Sequence, residues 1–266
     1  MSNAGQILRS ASALAEGRNR AYSQASARAA VRQGGYYASE VSNTFTNAAT
    51  GVLEATSTST ARSEEGSAVA YAYGEDSIYQ YAVGTDYWYS YYYGGEDMAA
   101  TISNSVTNAG AITQTSTALA EGESAEAYSN TGSAVRQYGY HAEDITNSLN
   151  NAAGAAIIQT ATAEANATSG PAEARANAWR SIDQYASNYD YWSSFDHGNI
   201  GQSAQLDLQN AGTISTTLAA EANSVDGRAR ARSEFGTGID QRSEGKTLRV
   251  ETQSDPERKH GDERHA

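Results

Sequence analysis

AITQTSTALA, residues 111–120, alternates from one end to the other. Ile112, Gln114, Ser116 and Ala118 fall on one side of an extended chain, and Thr113, Thr115, Thr117 and Leu119 on the other. Successive strand side chains point to opposite faces, so the stretch predicts a strand with a small, partly polar inner side. The tyrosines keep the same period: Tyr71, Tyr73, Tyr79, Tyr81, Tyr87, Tyr89, Tyr91 and Tyr93 all occupy odd positions. Tyr and Thr suit pleated surfaces, while Gly and Asn suit the turns between them. One segment admits a rival reading. GQILRSASALAEGRNRAYSQASARAAV, residues 5–31, can be drawn as an amphipathic helix with Ile7, Leu8, Ala11, Leu14 and Ala15 on one side. Alternation accounts for more of the chain, so the expectation is all-β.

Outward from residue 111 the sequence repeats. AVRQ at 30–33 returns at 134–137, and Ile239-Asp240-Gln241 falls at the same 104-residue interval. SIYQYA at 77–82 returns as SIDQYA at 181–186, and TDYWYS at 85–90 returns as YDYWSS at 189–194. Asn-Ala turns follow the series at Asn3, Asn47, Asn108, Asn151 and Asn210. Inside the long unit, an apolar residue two before an amide recurs at Val31/Gln33, Val41/Asn43, Ile102/Asn104, Ile112/Gln114, Val135/Gln137 and Ile145/Asn147. Neighbours 10–12 residues apart, in clusters 23–26 apart, predict a β-solenoid of about ten coils of 20–25 residues within the 104-residue repeat. Residues 3–245 form the expected repeat domain. Residues 246–266 are charged and lack the repeat, which predicts a disordered tail.

Composition supports a thin core. Ile, Leu, Val, Phe and Met make up about 13% of the 266 residues, below what an aliphatic core needs. Alanine, the small polar residues and eighteen tyrosines take their place. A net charge of −13 disfavours nucleic acid and anionic membranes as partners. No apolar run approaches membrane-spanning length. With no cysteine, disulfides and thiolate metal sites are excluded.

AVRQYGYHAEDITNSLNNAAGAAIIQ, residues 134–159, resembles the curlin repeats of bacterial curli fibres. Gln137, Gly139, Asn147 and Gln159 stand where that pattern places its amides and glycine, and Ala142 departs from it. TISNSVTNAGAITQTSTA (101–118) and DITNSLNNAAGAAI (144–157) are similar to β-helical autotransporter or haemagglutinin passengers. Either resemblance implies a bacterial β-solenoid that is extracellular or on the cell surface. Both leave open whether it builds fibres or adheres. No secretory signal is visible at the start of this chain.

The chemistry expected is mechanical. His141, His197, His260 and His265 lack ligand spacing, and no nucleophile elbow, phosphate loop or dinucleotide fingerprint is present. No catalytic residue, metal or cofactor is therefore expected. Thr56/Thr58, Thr115/Thr117 and Thr160/Thr162 are too sparse for a flat threonine array and read as structural. Gln33, Asn43, Asn104, Gln114, Gln137 and Asn147 are expected to stack between coils. Two aromatic belts, Asp86, Tyr87, Trp88, Tyr89, Tyr91 and Tyr93 and then Asp190, Tyr191 and Trp192, offer apolar faces with polar tips. They suit packing, fibre contact or polysaccharide. The leading expectation is a non-enzymatic structural or adhesive protein that associates with itself. The alternative is a glycan-binding adhesin, or a polysaccharide enzyme using Asp86, Glu96, Asp97, Asp183 and Asp190.

Overall fold

The computed structural model describes residues 1–36, 38, 40–84, 99–187, 203–244 and 248–254. A short strand, β1 (Ser2–Asn3), precedes five coils. The first holds β2 (Gln6–Gly17), β3 (Arg20–Ala27), β4 (Val31–Tyr36) and β5 (Glu40–Asn47). The second holds β6 (Val52–Ser63), β7 (Ser67–Gly74), β8 (Ile78–Val83) and β9 (Ala99–Asn108). In the third, β10 (Ala111–Gly122), β11 (Ser124–Tyr140) and β12 (Ala142–Asn151) follow, with one long strand replacing two. The fourth is β13 (Ala156–Ala167), β14 (Ala172–Ser187) and β15 (Ser203–Asn210); the fifth is β16 (Thr213–Ser224), β17 (Ala229–Glu244) and β18 (Leu248–Ser254).

Every pairing is parallel and joins equivalent strands of successive coils, giving three stacked sheets. Face 1 runs β1-β5-β9-β12-β15-β18, and face 2 runs β2-β6-β10-β13-β16. Face 3 runs β3-β7-β11-β14-β17, with β8 paired onto the far half of β11 and β4 onto β8. The chain is thus an all-β solenoid, and the segment drawn above as a helix forms β2 and β3.

The coil is longer than expected. At the glutamine column one turn advances 47 or 57 residues, so the described residues form five coils rather than ten of 20–25. A short and a long turn together span the 104-residue interval. The apolar–x–amide motif misleads because it occurs more than once per coil: in the third coil Ile112-Thr-Gln114 lies on face 2, Val135-Arg-Gln137 on face 3 and Ile145-Thr-Asn147 on face 1, the last two on opposite sides of one bend. Leu248–Ser254, assigned by charge to the tail, pairs along β15.

Ile112, Gln114, Ser116 and Ala118 are the inward side of β10, as their alternation requires. Two kinds of core result. Between faces 2 and 3 the fully buried apolar residues are alanines, including Ala70, Ala127 and Ala174, with buried serines among them. Serines there reach the opposite backbone: Ser116 Oγ donates to the Ala72 carbonyl at 2.9 Å and Ser57 Oγ to that of Ala25 at 3.0 Å. Side chains that short bridge only where two sheets lie very close. At the other end Phe45, Leu53, Ile112, Leu149, Ile157 and Ile182 fill a wider aliphatic core.

Candidate functional site

Amide columns run along the axis inside the solenoid. Gln33, Gln80, Gln137, Gln184 and Gln241 stack one per coil, each Nε2 donating to the Oε1 of the glutamine before it at 2.6–2.8 Å. A second column, Asn3, Asn47, Asn108, Asn151 and Asn210, marks the corner between faces 1 and 2, with links of 2.7–2.9 Å. A third joins Asn43, Asn104 and Asn147 at 2.8–2.9 Å and stops at Leu206, which takes the next position. Gln114 accepts from Gln159 Nε2 at 2.8 Å and donates to the Glu75 carbonyl. Buried amides are tolerated here because donors and acceptors are both used.

Of the six amides singled out in the sequence, Gln33 and Gln137 fall in the first column, Asn43, Asn104 and Asn147 in the third, and Gln114 in its own pair with Gln159. Their partners Gln80 and Gln184 were missed, although both sit inside the repeated SIYQYA and SIDQYA. The five corner asparagines were seen only as turn markers.

The outer side of face 3 carries aromatic side chains. Tyr81, Tyr138 and Tyr185 follow one another from coil to coil. Tyr36, Tyr79 and Tyr140 flank them. Ring centroids lie 5.5 Å apart for Tyr36–Tyr81, 5.9 Å for Tyr138–Tyr185 and 5.3 Å for Tyr140–Tyr185. Further along the same face Tyr71 stacks on Tyr128 at 4.8 Å. Arginines lie over several rings: Arg32 over Tyr79, Arg136 over Tyr138 and Arg242 over Tyr185, at 5.5–5.7 Å. Burial pushes the Tyr138 phenol up to about 12, helped by its hydrogen bond to Asp183.

Beside this wall sits a charge cluster. Asp183 is fully buried, and its Oδ2 accepts from Tyr138 Oη at 2.7 Å and Arg180 Nη1 at 3.0 Å. Arg136 Nε stands 3.3 Å from the same oxygen, and Arg136 Nη1 lies 3.1 Å from Asp76. Arg180 and Arg242 pair with Asp240 one coil on, at 2.7 and 3.2 Å. Burial raises the Asp76 carboxyl to about 6 against the pull of Arg136 and the Ser133 amide. Asp183, a candidate acid by sequence, is thereby held among arginines rather than presented to a substrate.

The belt residues Asp86, Tyr87, Trp88, Tyr89, Tyr91, Tyr93, Asp190, Tyr191 and Trp192, with Glu96 and Asp97, lie outside the described residues. Their segments join β8 to β9 and β14 to β15, at the same corner of every second coil. Those two connections are what lengthen alternate coils. A groove follows the opposite corner, between faces 2 and 3, past the column Glu16, Arg62, Glu121, Asn166 and Asn223. Arg62 bridges Glu121 at 2.7 Å and Glu16 at 3.6 Å within it. Among the described residues no three of His, Cys, Asp and Glu come together as a metal site. Comparison with known protein families, with curated proteins and with solved structures finds no match for this chain.

Proposed function

We propose that this protein is a non-enzymatic structural or adhesive component, extracellular or at a cell surface, that stacks end to end into fibres. The observation that carries the reading is the state of the last coil. Ile182 is 0% exposed, whereas Ile239, in the same column one coil on, is 40% exposed. A further coil would bury it. Among the described residues, β2 and β16 pair on one side only, which leaves backbone edges of the kind that template another chain. Electron microscopy of purified protein over a concentration series tests the reading, with filaments one solenoid wide as the expected result. Monodisperse particles at high concentration, with no end-to-end contacts, would overturn it.

A second reading has its own observation in the tyrosine wall. Coils repeat at about 4.8 Å, so Tyr81, Tyr138 and Tyr185 present one ring per rung to an extended polymer lying along the axis. Polysaccharide binding that is lost on Tyr138→Ala with Tyr185→Ala, in protein that remains folded, would favour a glycan-binding adhesin.

A further inference from the structure

Resting on the fibre reading, we infer that the partner at the solenoid end is a second copy of this chain. It docks head to tail in the frame that continues the internal columns, with Asp240 of one copy facing Arg32 of the next.

The register fixes that frame. Arg32, Tyr79, Arg136, Asp183 and Asp240 form one column on the outer side of face 3. In it Asp183 finds a guanidinium one rung back, Arg136 at 3.3 Å. In that column the residue behind Asp240 is another aspartate, Asp183, and the guanidiniums that Asp240 meets, Arg180 at 2.7 Å and Arg242 at 3.2 Å, come from neighbouring columns. A copy placed one step beyond β17 brings Arg32 to the rung ahead, in the same one-rung relation that Arg136 has to Asp183.

Adjacent columns agree. Val31, Ile78, Val135, Ile182 and Ile239 would continue with Val31, and Gln241 would meet Gln33. On the alanine half of face 3, Arg230 would come to Tyr22, the one-rung relation that puts Arg32 5.5 Å from Tyr79. On face 2, Ile214 would cover Ile7, both only partly buried within one copy. In this frame apolar, amide and opposite-charge columns are continued together. A one-residue slip along the strand would turn every inward residue outward.

Face 1 adds a constraint. β1 pairs Thr46 and Asn47 of β5 and Met1 N donates to the Thr44 carbonyl at 2.6 Å, and among the described residues no strand pairs residues 40–43 on that side. In the continued frame β18 lies over β5, with Leu248 at Val41 and Ser254 at Asn47. Its last two residues claim the positions of Ser2 and Asn3. One of the two segments leaves the row when the joint forms. Head-to-tail contact of this kind is heterologous and does not close, so it yields a filament rather than a dimer.

Charge reversal and register-specific cross-linking test the joint together. Arg32→Asp and Asp240→Arg should each raise the concentration needed for growth by about tenfold or more, through like-charge contact. An equimolar mixture should recover growth, because every joint then pairs opposite charges. Since Asp240 also holds Arg180 and Arg242, the second measurement uses cysteines in an otherwise cysteine-free chain. Gly34 and Arg242 share a column and lie four rungs apart within one copy. In the continued frame they come one rung apart, about 4.8 Å, within disulfide reach. Oxidised Gly34→Cys/Arg242→Cys should give a covalent ladder of oligomers, and Gly34→Cys/Glu234→Cys should not. Filaments that ignore the charge reversal, or that cross-link only out of frame, would overturn the joint and leave the fibre reading standing. No self-association in the parent protein would overturn both.

Discussion

Gln137 shows how one side chain is bound into the stack. Its Nε2 donates to Gln80 Oε1 at 2.7 Å and lies 3.0–3.1 Å from the Ser148 and Asn104 carbonyls, while its Oε1 accepts from Gln184 at 2.6 Å. Replacing it with alanine leaves two glutamines without their ladder contact and removes a donor from the Asn104 and Ser148 carbonyls. Gln137→Ala should therefore cost about 2–4 kcal/mol in denaturant unfolding. Gln33→Ala, at the exposed end of the same column, should cost less than about 1 kcal/mol; equal losses would show that the column does not act as a ladder. Asp76 acts through charge instead. It faces Arg136 and the Ser133 amide, with Asp183 and Glu75 nearby, and burial holds its carboxyl at about 6, above the ordinary 3.8. A raised carboxyl binds its proton more readily in the folded than in the unfolded chain. Its stabilising contribution is thus present at low pH and is lost as pH rises through about 6. Asp76→Asn should remove about 1–3 kcal/mol of the stability difference between pH 7 and pH 4. Unfolding of parent and variant at both pH values measures it, and parallel pH profiles would refute it.

β10 and β11 show what an element's sequence discloses and what it conceals. The alternation in β10 placed Ile112, Gln114, Ser116 and Ala118 inward, which the burial pattern of the strand matches. That reading needs only the pleat. The length of a coil needs knowledge of which strands are neighbours, and the sequence carries two conflicting signals about it. Gln137 and Asn147 lie ten residues apart because they meet across one bend, where Asn147 Nδ2 donates to the Gln137 carbonyl at 3.3 Å. The recurrence therefore counts sides of a coil, not coils. At the glutamine column the step alternates between 47 and 57 residues, so there only two-coil intervals keep a constant spacing in the sequence. The outward tyrosines were legible as one face, but their partners across coils depend on register and were not. The alanine half of the core carries its own prediction. Ala127 is fully buried between faces 2 and 3, where serine hydroxyls already span the gap. Ala127→Leu should cost about 3 kcal/mol or more, because the sheets must part. Ile182→Val, in the wide aliphatic half, should cost about 1 kcal/mol. Thermal unfolding of the two variants compares the halves, and a well-tolerated Ala127→Leu would contradict a close approach of the sheets.

At the scale of the whole molecule each coil touches only the coils on either side, so its stability is a sum over neighbours along one axis. Excising whole coils should then shorten the solenoid without unfolding it, provided the cut falls between equivalent positions. Val52, Ala111 and Ala156 share one column on face 2, each following a turn from face 1. Deleting residues 52–155 removes two coils and brings β13 onto β2, with Gln184 over Gln33 and Asn210 over Asn47. Deleting residues 52–110 removes one coil and brings β10 onto β2, with Gln137 over Gln33 and Asn147 over Asn43. Both variants should keep a β-sheet circular dichroism spectrum and a cooperative transition, with a lower midpoint for the larger excision. Deleting residues 52–75 instead removes β6 and β7 while keeping β8 and β9, so faces 2 and 3 lose a rung that face 1 retains. That variant should fail to give a cooperative transition although it loses the fewest residues. If it folds as well as the one-coil excision, the structural unit is the half-coil that the amide motif suggested. If only the two-coil excision folds, the unit is the 104-residue repeat rather than the single coil.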